Sequence, residues 1–159
     1  MTPVSAPEVN TVVEEVLHAY LGLHEPCAPT QQVTDGVRYS GSVNLRGTWQ
    51  GRISVELMRH TVVAAASHML GLPDDEMREQ DLEDVTAELT NVIGGNLRAV
   101  ITSRLPGNCD LDLPEVSSGA LALDAVGENE EHRVRCGEHE LRVVLLKANI
   151  RHTDVEGVL

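Results

Sequence analysis

The sequence predicts an α+β fold: a mostly antiparallel sheet with helices packed on one face. Three observations carry that reading. Apolar residues recur at helical spacing in three separate segments. Other stretches alternate apolar and polar residues with period two on either side of tight turns. The patterns follow the order helix, two strands, two helices, several strands, which suits helices gathered on one side of a sheet rather than alternating βαβ units. The 159 residues fit one domain, 1–159, with a core over roughly 8–150.

The elements follow in order. Val9, Val12, Val13, Val16, Leu17 and Tyr20 form an apolar helical stripe, and Pro7 suits a first turn, so the first helix runs over about 7–23. Glu8, Glu14 and Glu15 sit early, where the helix dipole favours acids. Residues 24–35, with Pro26, Pro29 and Asp35-Gly36, read as a loop. Val37, Tyr39, Gly41, Val43 and Leu45 then share one side of a strand, and Trp49, Gly51, Ile53, Val55 and Leu57 one side of the next, joined at Arg46-Gly47-Thr48. Met58–Leu70 is a second helix, stopped by Gly71-Leu72-Pro73. Residues 74–80 are acidic, a linker or a short helix. Asp81 reads as the N-cap of a third helix, with Asp84 as a capping-box acid, and that helix ends near Arg104. Leu111–Val116 carries Pro114 and reads as a loop or edge segment, and 119–126 fits no pattern clearly. His132–Cys136 and Glu140–Ala148 flank Gly137 as a second hairpin. The termini, 1–6 and 152–159, read as frayed.

Composition excludes several classes of function. With 12 basic and 25 acidic residues the net charge is −13. That opposes binding to nucleic acid, which is driven by clustered Lys and Arg, and to anionic membranes. There is no Phe, one Trp and two Tyr, so the core is aliphatic and no base-stacking surface is expected. Met1–Asn10 has neither a basic nor an apolar signal region, and no apolar stretch approaches the roughly 20 residues of a membrane span. The reading is cytoplasmic. Cys27, Cys109 and Cys136 are odd in number and far apart, which in that compartment reads as reduced thiols.

The third helix carries the functional signal. At about 100° per residue, Leu82, Val85, Leu89, Val92, Ile93, Asn96 and Val100 make a core-facing stripe. Asp84, Glu88, Asn91, Gly95 and Arg98 fall on the opposite side. Glu88 and Asn91, at i and i+3, project together. Gly94-Gly95 in a helix interior costs roughly 1 kcal/mol per Gly relative to Ala, and close approach of a neighbouring helix or a docking partner would offset it. Thr90 and Arg98 read as surface residues, Asn96 as a structural hydrogen-bonding residue.

Asp84, Glu88 and Asn91, followed by Pro114 after 22 intervening residues, resemble the active-site pattern of the CheC/CheX/FliY family of chemotaxis phosphatases: Asp or Ser, three residues, Glu, two, Asn, twenty-two, Pro. The element order is similar over about 8–150. Only one such motif is present, which resembles the single-site CheX branch, whose members tend to form homodimers. The resemblance implies hydrolysis of the aspartyl phosphate of a CheY-like receiver, in a two-component signalling pathway. Asn91 would position the water and Glu88 would pair with the receiver's active-site Lys. Asp84, Gly95 and Arg98 would border the partner, and Asp84 and Pro114 would serve the motif structurally. Mg²⁺ would come from the receiver, with no cofactor held by this chain. The alternative is a non-catalytic receiver-binding adaptor or motor-switch module, against which the retained Glu and Asn speak. A homodimer could form by edge pairing of the last strand.

Other constellations are weaker. His132, Cys136 and His139 match no zinc spacing, so no metal is expected. His24 and Cys27 lack a base partner and an oxyanion motif. His18, His60, His68 and His152 read as surface or packing residues. No phosphate-cradling Gly loop follows a strand.

Overall fold

The structure, a computed structural model, describes residues 3–121 and 128–148. Seven strands are described: β1 (Cys27–Pro29), β2 (Arg38–Gly47), β3 (Gly51–Met58), β4 (Cys109–Leu111), β5 (Glu115–Ser118), β6 (Glu128–Cys136) and β7 (His139–Lys147). They form one antiparallel sheet in the order β1-β6-β7-β3-β2-β4, with β5 also paired to β2. Helices α1 (Ala6–Leu21), α2 (Arg59–Leu70) and α3 (Glu79–Arg104) touch one another and cover one face of the sheet. This is the α+β architecture the sequence predicts. Among the described residues no helix is long and apolar enough to cross a membrane.

The core lies between the helix layer and the sheet. It joins Val9, Val13 and Leu17 of α1, Val62 and Ala66 of α2 and Leu82, Leu89 and Ile93 of α3 to Val43, Ile53, Val55, Leu57, Leu141, Val143 and Leu145 of the strands. The alternation in β2 and β3 holds, with Tyr39, Val43 and Leu45 buried on the core side. Val37 departs from it and is exposed, because it precedes the strand.

Several expectations change. The segment 24–35 contains β1, whose three residues pair with the end of β6; its Cys-Ala-Pro composition is too short to show alternation. That pairing sets Cys27 opposite Cys136, and the two are disulfide-bonded, where reduced thiols were expected. Sequence distance hid the pair, since 109 positions separate it. Cys109 is the buried free cysteine. The last strand is not a sheet edge: β7 is paired on both sides, with β3 and β6. Leu111–Val116 holds the end of β4, the β4–β5 loop with Pro114, and the start of β5, and both strands lie at the edge beside β2.

The N-terminal segment is anchored rather than frayed over 3–6. Ser5 caps α1, and its N–H donates to Glu8 Oε1 at 3.0 Å. Val4 is buried, and Arg104 donates to the Pro3 carbonyl at 2.7 Å. Residues 122–126 of the unassigned 119–126 segment and the terminal 152–159 lie outside the described residues.

Candidate functional site on helix α3

α3 spans 26 residues and crosses the sheet over β2. Small residues set its depth. A Cβ placed on Gly41 of β2 would lie 2.1 Å from Thr90 Oγ1, and one on Gly94 would lie 2.7 Å from Val43 Cγ2. Thr86 and Thr90, fully buried, donate their hydroxyls to the Leu82 and Thr86 carbonyls, each at 2.7 Å. A hydroxyl satisfied by its own helix can face a sheet without an unpaired polar group. Thr90 is therefore a packing residue, where a surface role was expected.

This packing turns the buried arc of α3. It runs through Leu82, Val85, Thr86, Leu89, Thr90, Ile93, Gly94, Leu97 and Ile101. Asn96, expected on the core side, is exposed, and Val92 and Val100 are half-buried. Hydrophobic periodicity missed the shift because the residues nearest the sheet are Thr and Gly.

The opposite face emerges as the sequence places it. Asp84, Glu88 and Asn91 are exposed, and Gly95 and Arg98 are half-buried. Glu88 and Asn91 are one turn apart, which puts their Cβ atoms about 5–6 Å from each other. A Cβ on Gly95 would meet nothing within 4 Å, so this glycine borders open space while Gly94 abuts the sheet. Neither glycine meets a neighbouring helix.

Asp84 does not cap the helix. α3 begins three residues earlier than expected, with Arg78 rather than Asp81 as its N-cap, and Asp81 fills the capping-box place three residues on, accepting the Arg78 N–H at 3.0 Å. Contact with that N–H, then with the Arg78 guanidinium, holds the Asp81 carboxyl below its ordinary range. Asp84 instead accepts from the Gln80 amide at 2.8 Å and stands one turn before Glu88 on the exposed face.

One neighbour was not anticipated. Tyr20, at the end of α1, donates its hydroxyl to Glu88 Oε1 at 3.5 Å. Burial, then the charge of Glu88, pushes the Tyr20 hydroxyl above the usual phenol range, so it remains a donor. The helical stripe of α1 placed Tyr20 facing inward but carried no sign of which carboxylate it would meet.

Chemically the face offers a carboxylate, a carboxamide with both donor and acceptor atoms, and a gap beside them. That set suits docking to a cation and positioning a small polar reactant. Pro114 belongs to the β4–β5 loop, on strands that pack against α3.

A family profile described as "Chemotaxis phosphatase CheX" matches residues 39–136, well over half of the chain and the whole of α3. No curated protein matches it in sequence. Among solved structures the fold is similar to the chemotaxis protein CheX from Vibrio vulnificus, with TM-score 0.74, 16% identity and coverage of 92% of this chain and 99% of that one. It is similar to a CheX from Desulfovibrio desulfuricans, with TM-score 0.69, 23% identity and coverage of 89% and 97%. It also matches a CheX–CheY–BeF3–Mg²⁺ complex from Borrelia burgdorferi, with TM-score 0.70, 17% identity and coverage of 90% and 97%.

Proposed function

The chain belongs to the CheX family of chemotaxis phosphatases, and from that premise we propose that it hydrolyses the aspartyl phosphate of a CheY-like receiver through Asn91 and Glu88. One observation carries the reading: the Glu88–Asn91 pair stands exposed on the face of α3 turned away from the sheet, beside the open space at Gly95.

The reaction asks little covalent chemistry of this chain. Water attacks phosphorus, the bond from phosphorus to the aspartyl oxygen breaks, and that oxygen leaves as carboxylate. The products are the free aspartate and dihydrogen phosphate. Mg²⁺ and a Lys of the receiver neutralise the phosphoryl oxygens; a CheY is bound with BeF3 and Mg²⁺ in the Borrelia complex. What remains is to hold one water in line, and positioning is most of phosphoryl-transfer catalysis. The Asn91 carbonyl oxygen accepts from that water without acting as a base. Glu88 accepts a charge-assisted hydrogen bond from the receiver's Lys, which sets the depth at which Asn91 enters. Asp84 and Arg98 border the docked partner, and Gly95 admits its loops. The site acts in the cytoplasm, where receivers reside, and the chain works as a homodimer; a monomer mass by light scattering at working concentrations would count against the latter.

The test is phospho-receiver lifetime. Receivers from the same genome are loaded with a small phosphodonor and Mg²⁺, the donor is removed, and phosphate loss is followed. Wild type shortens the lifetime. Asn91→Ala loses roughly 10²-fold or more in turnover while still binding the phosphorylated receiver. Glu88→Ala weakens docking as well. Unchanged turnover in Asn91→Ala would sink the mechanism, and binding without acceleration by wild type would leave an adaptor.

A further inference from the structure

The fold gathers a second group of side chains that this reaction does not use. Glu14 and His18 are i and i+4 on α1 and share a face. Tyr20 points from α1 toward Glu88; His18, two residues earlier, points roughly the other way. β1 carries Cys27 to the Glu14–His18 face. A Glu14 carboxylate oxygen, a His18 ring nitrogen and Cys27 Sγ lie within 4.8 Å of one another. Cys136, opposite Cys27 across the β1–β6 pairing, adds a second sulfur directly bonded to the first.

The group is already oriented. Glu14 Oε2 accepts the Cys27 N–H at 2.7 Å. His18 Nε2 lies 2.5 Å from the Glu25 carbonyl oxygen. A ring N–H given to a backbone carbonyl fixes the tautomer and leaves the second nitrogen a lone pair, the arrangement common to metal-bound histidines. The sulfurs are buried and Glu14 and His18 half-buried, so a pair of thiolates here would need a compensating cation close by.

We propose that in the reduced chain Glu14, His18, Cys27 and Cys136 bind one soft divalent cation, zinc foremost, and that metal and disulfide are alternative occupants of this corner. Two sulfurs, one imidazole and one carboxylate make a four-ligand set that favours zinc over magnesium or calcium. The balance is direct. A dithiol supplies two electrons and two protons, the S–S bond breaks, and two thiols form while the dithiol becomes a disulfide. The metal then displaces the two thiol protons, and the sulfurs separate to flank it at about 2.3 Å each. Sequence spacing gives no hint of the site, because its ligands come from α1, β1 and β6 and the cysteines are 109 positions apart.

The experiment titrates the full chain with Co²⁺ alone, after reduction and removal of the reductant without air, then competes with Zn²⁺. Expected is one Co²⁺ per chain, with a thiolate-to-cobalt charge-transfer band and the visible spectrum of a tetrahedral site, both abolished by Zn²⁺. The oxidised chain shows neither. Cys27→Ser and His18→Ala each weaken binding by more than the roughly 10–100-fold that loss of an outer-shell partner costs, and Cys109→Ser binds as wild type. His18→Ala, on a half-buried helix face, keeps the question open to measurement if a cysteine variant folds poorly. A reduced chain with no thiolate band, or equal affinity in wild type and His18→Ala, overturns the proposal.

Discussion

Gly94 and Gly95 are neighbours in sequence and answer to different surroundings. An Ala methyl at Gly94 would sit 2.7 Å from Val43 Cγ2, and Val43 is a stiff, fully buried β-branched side chain. Overpacking of this kind costs about 1–3 kcal/mol, more than the helix propensity that Ala regains. Gly94→Ala therefore lowers stability. At Gly95 the space is open, so Gly95→Ala gains up to about 1 kcal/mol and, where a receiver loop fills that space, loses affinity. Thermal unfolding and receiver titration of the two variants check both halves: a stabilised Gly95→Ala that binds as well as wild type would remove this glycine from the docking face. The same residues show what was legible. Glu88 and Asn91 could be placed outward from spacing alone, because charged and amide side chains at i and i+3 must share a face. Thr90 and Asn96 could not. Thr90 hides its hydroxyl on its own helix, and Asn96 loses its core position when Thr and Gly, not Leu, line the sheet side.

Among elements, the helices and the β2–β3 hairpin were readable because their periodicity is long. β1 was not, since three residues show no period and its pairing is 109 positions away in sequence. One polar contact between two of these helices was equally hidden. Arg104, in the last turn of α3, grips both carboxylate oxygens of Glu8 in the first turn of α1, each at 2.6 Å. The Arg104 hydrogen bonds first, and those from Ser5 second, bring the Glu8 carboxyl down to about 2. A depressed carboxylate contributes stability above its unfolded pKa, about 4.3 for Glu, and that contribution is lost as pH falls through the folded value. The wild-type chain therefore loses thermal stability between about pH 4.3 and about pH 2 more steeply than Glu8→Gln. Other carboxylates titrate in both proteins, so the difference between the two melting profiles isolates this one. Parallel profiles would mean that Glu8 and Arg104 do not hold each other in solution.

For the whole molecule, the net charge of −13 suggests a repulsive surface, yet the sheet face away from the helices is organised by cations. Arg38 and Arg142 flank Glu56 at 3.0 and 3.6 Å. Arg142 reaches Glu131 at 2.8 Å, and Arg133 bridges Glu131 and Glu140 at 3.2 and 3.1 Å. Arg135 closes the ladder on Glu140 at 2.8 Å. Alternation in the strands announced a polar face but not that it would be covered. Glu56 is only 5% exposed, and the Leu121 N–H donates to it at 2.8 Å, so the chain at Leu121 lies against it. A charge this enclosed is costly to disturb, because removing one member strands the others. Glu56→Ala leaves Arg38 without its carboxylate and Leu121 without its acceptor, while Arg142 keeps Glu131. The expected loss is about 3 kcal/mol, the low end for a broken buried pair, since both arginines keep some access to water. Urea unfolding measures it through the midpoint, and an unchanged slope would show that the two states stay comparable. Receiver dephosphorylation by the folded fraction should be retained, because Glu56 acts from the far side of the sheet to α3. A midpoint equal to wild type would mean that water already shares this face and that the ladder is surface decoration rather than part of the fold.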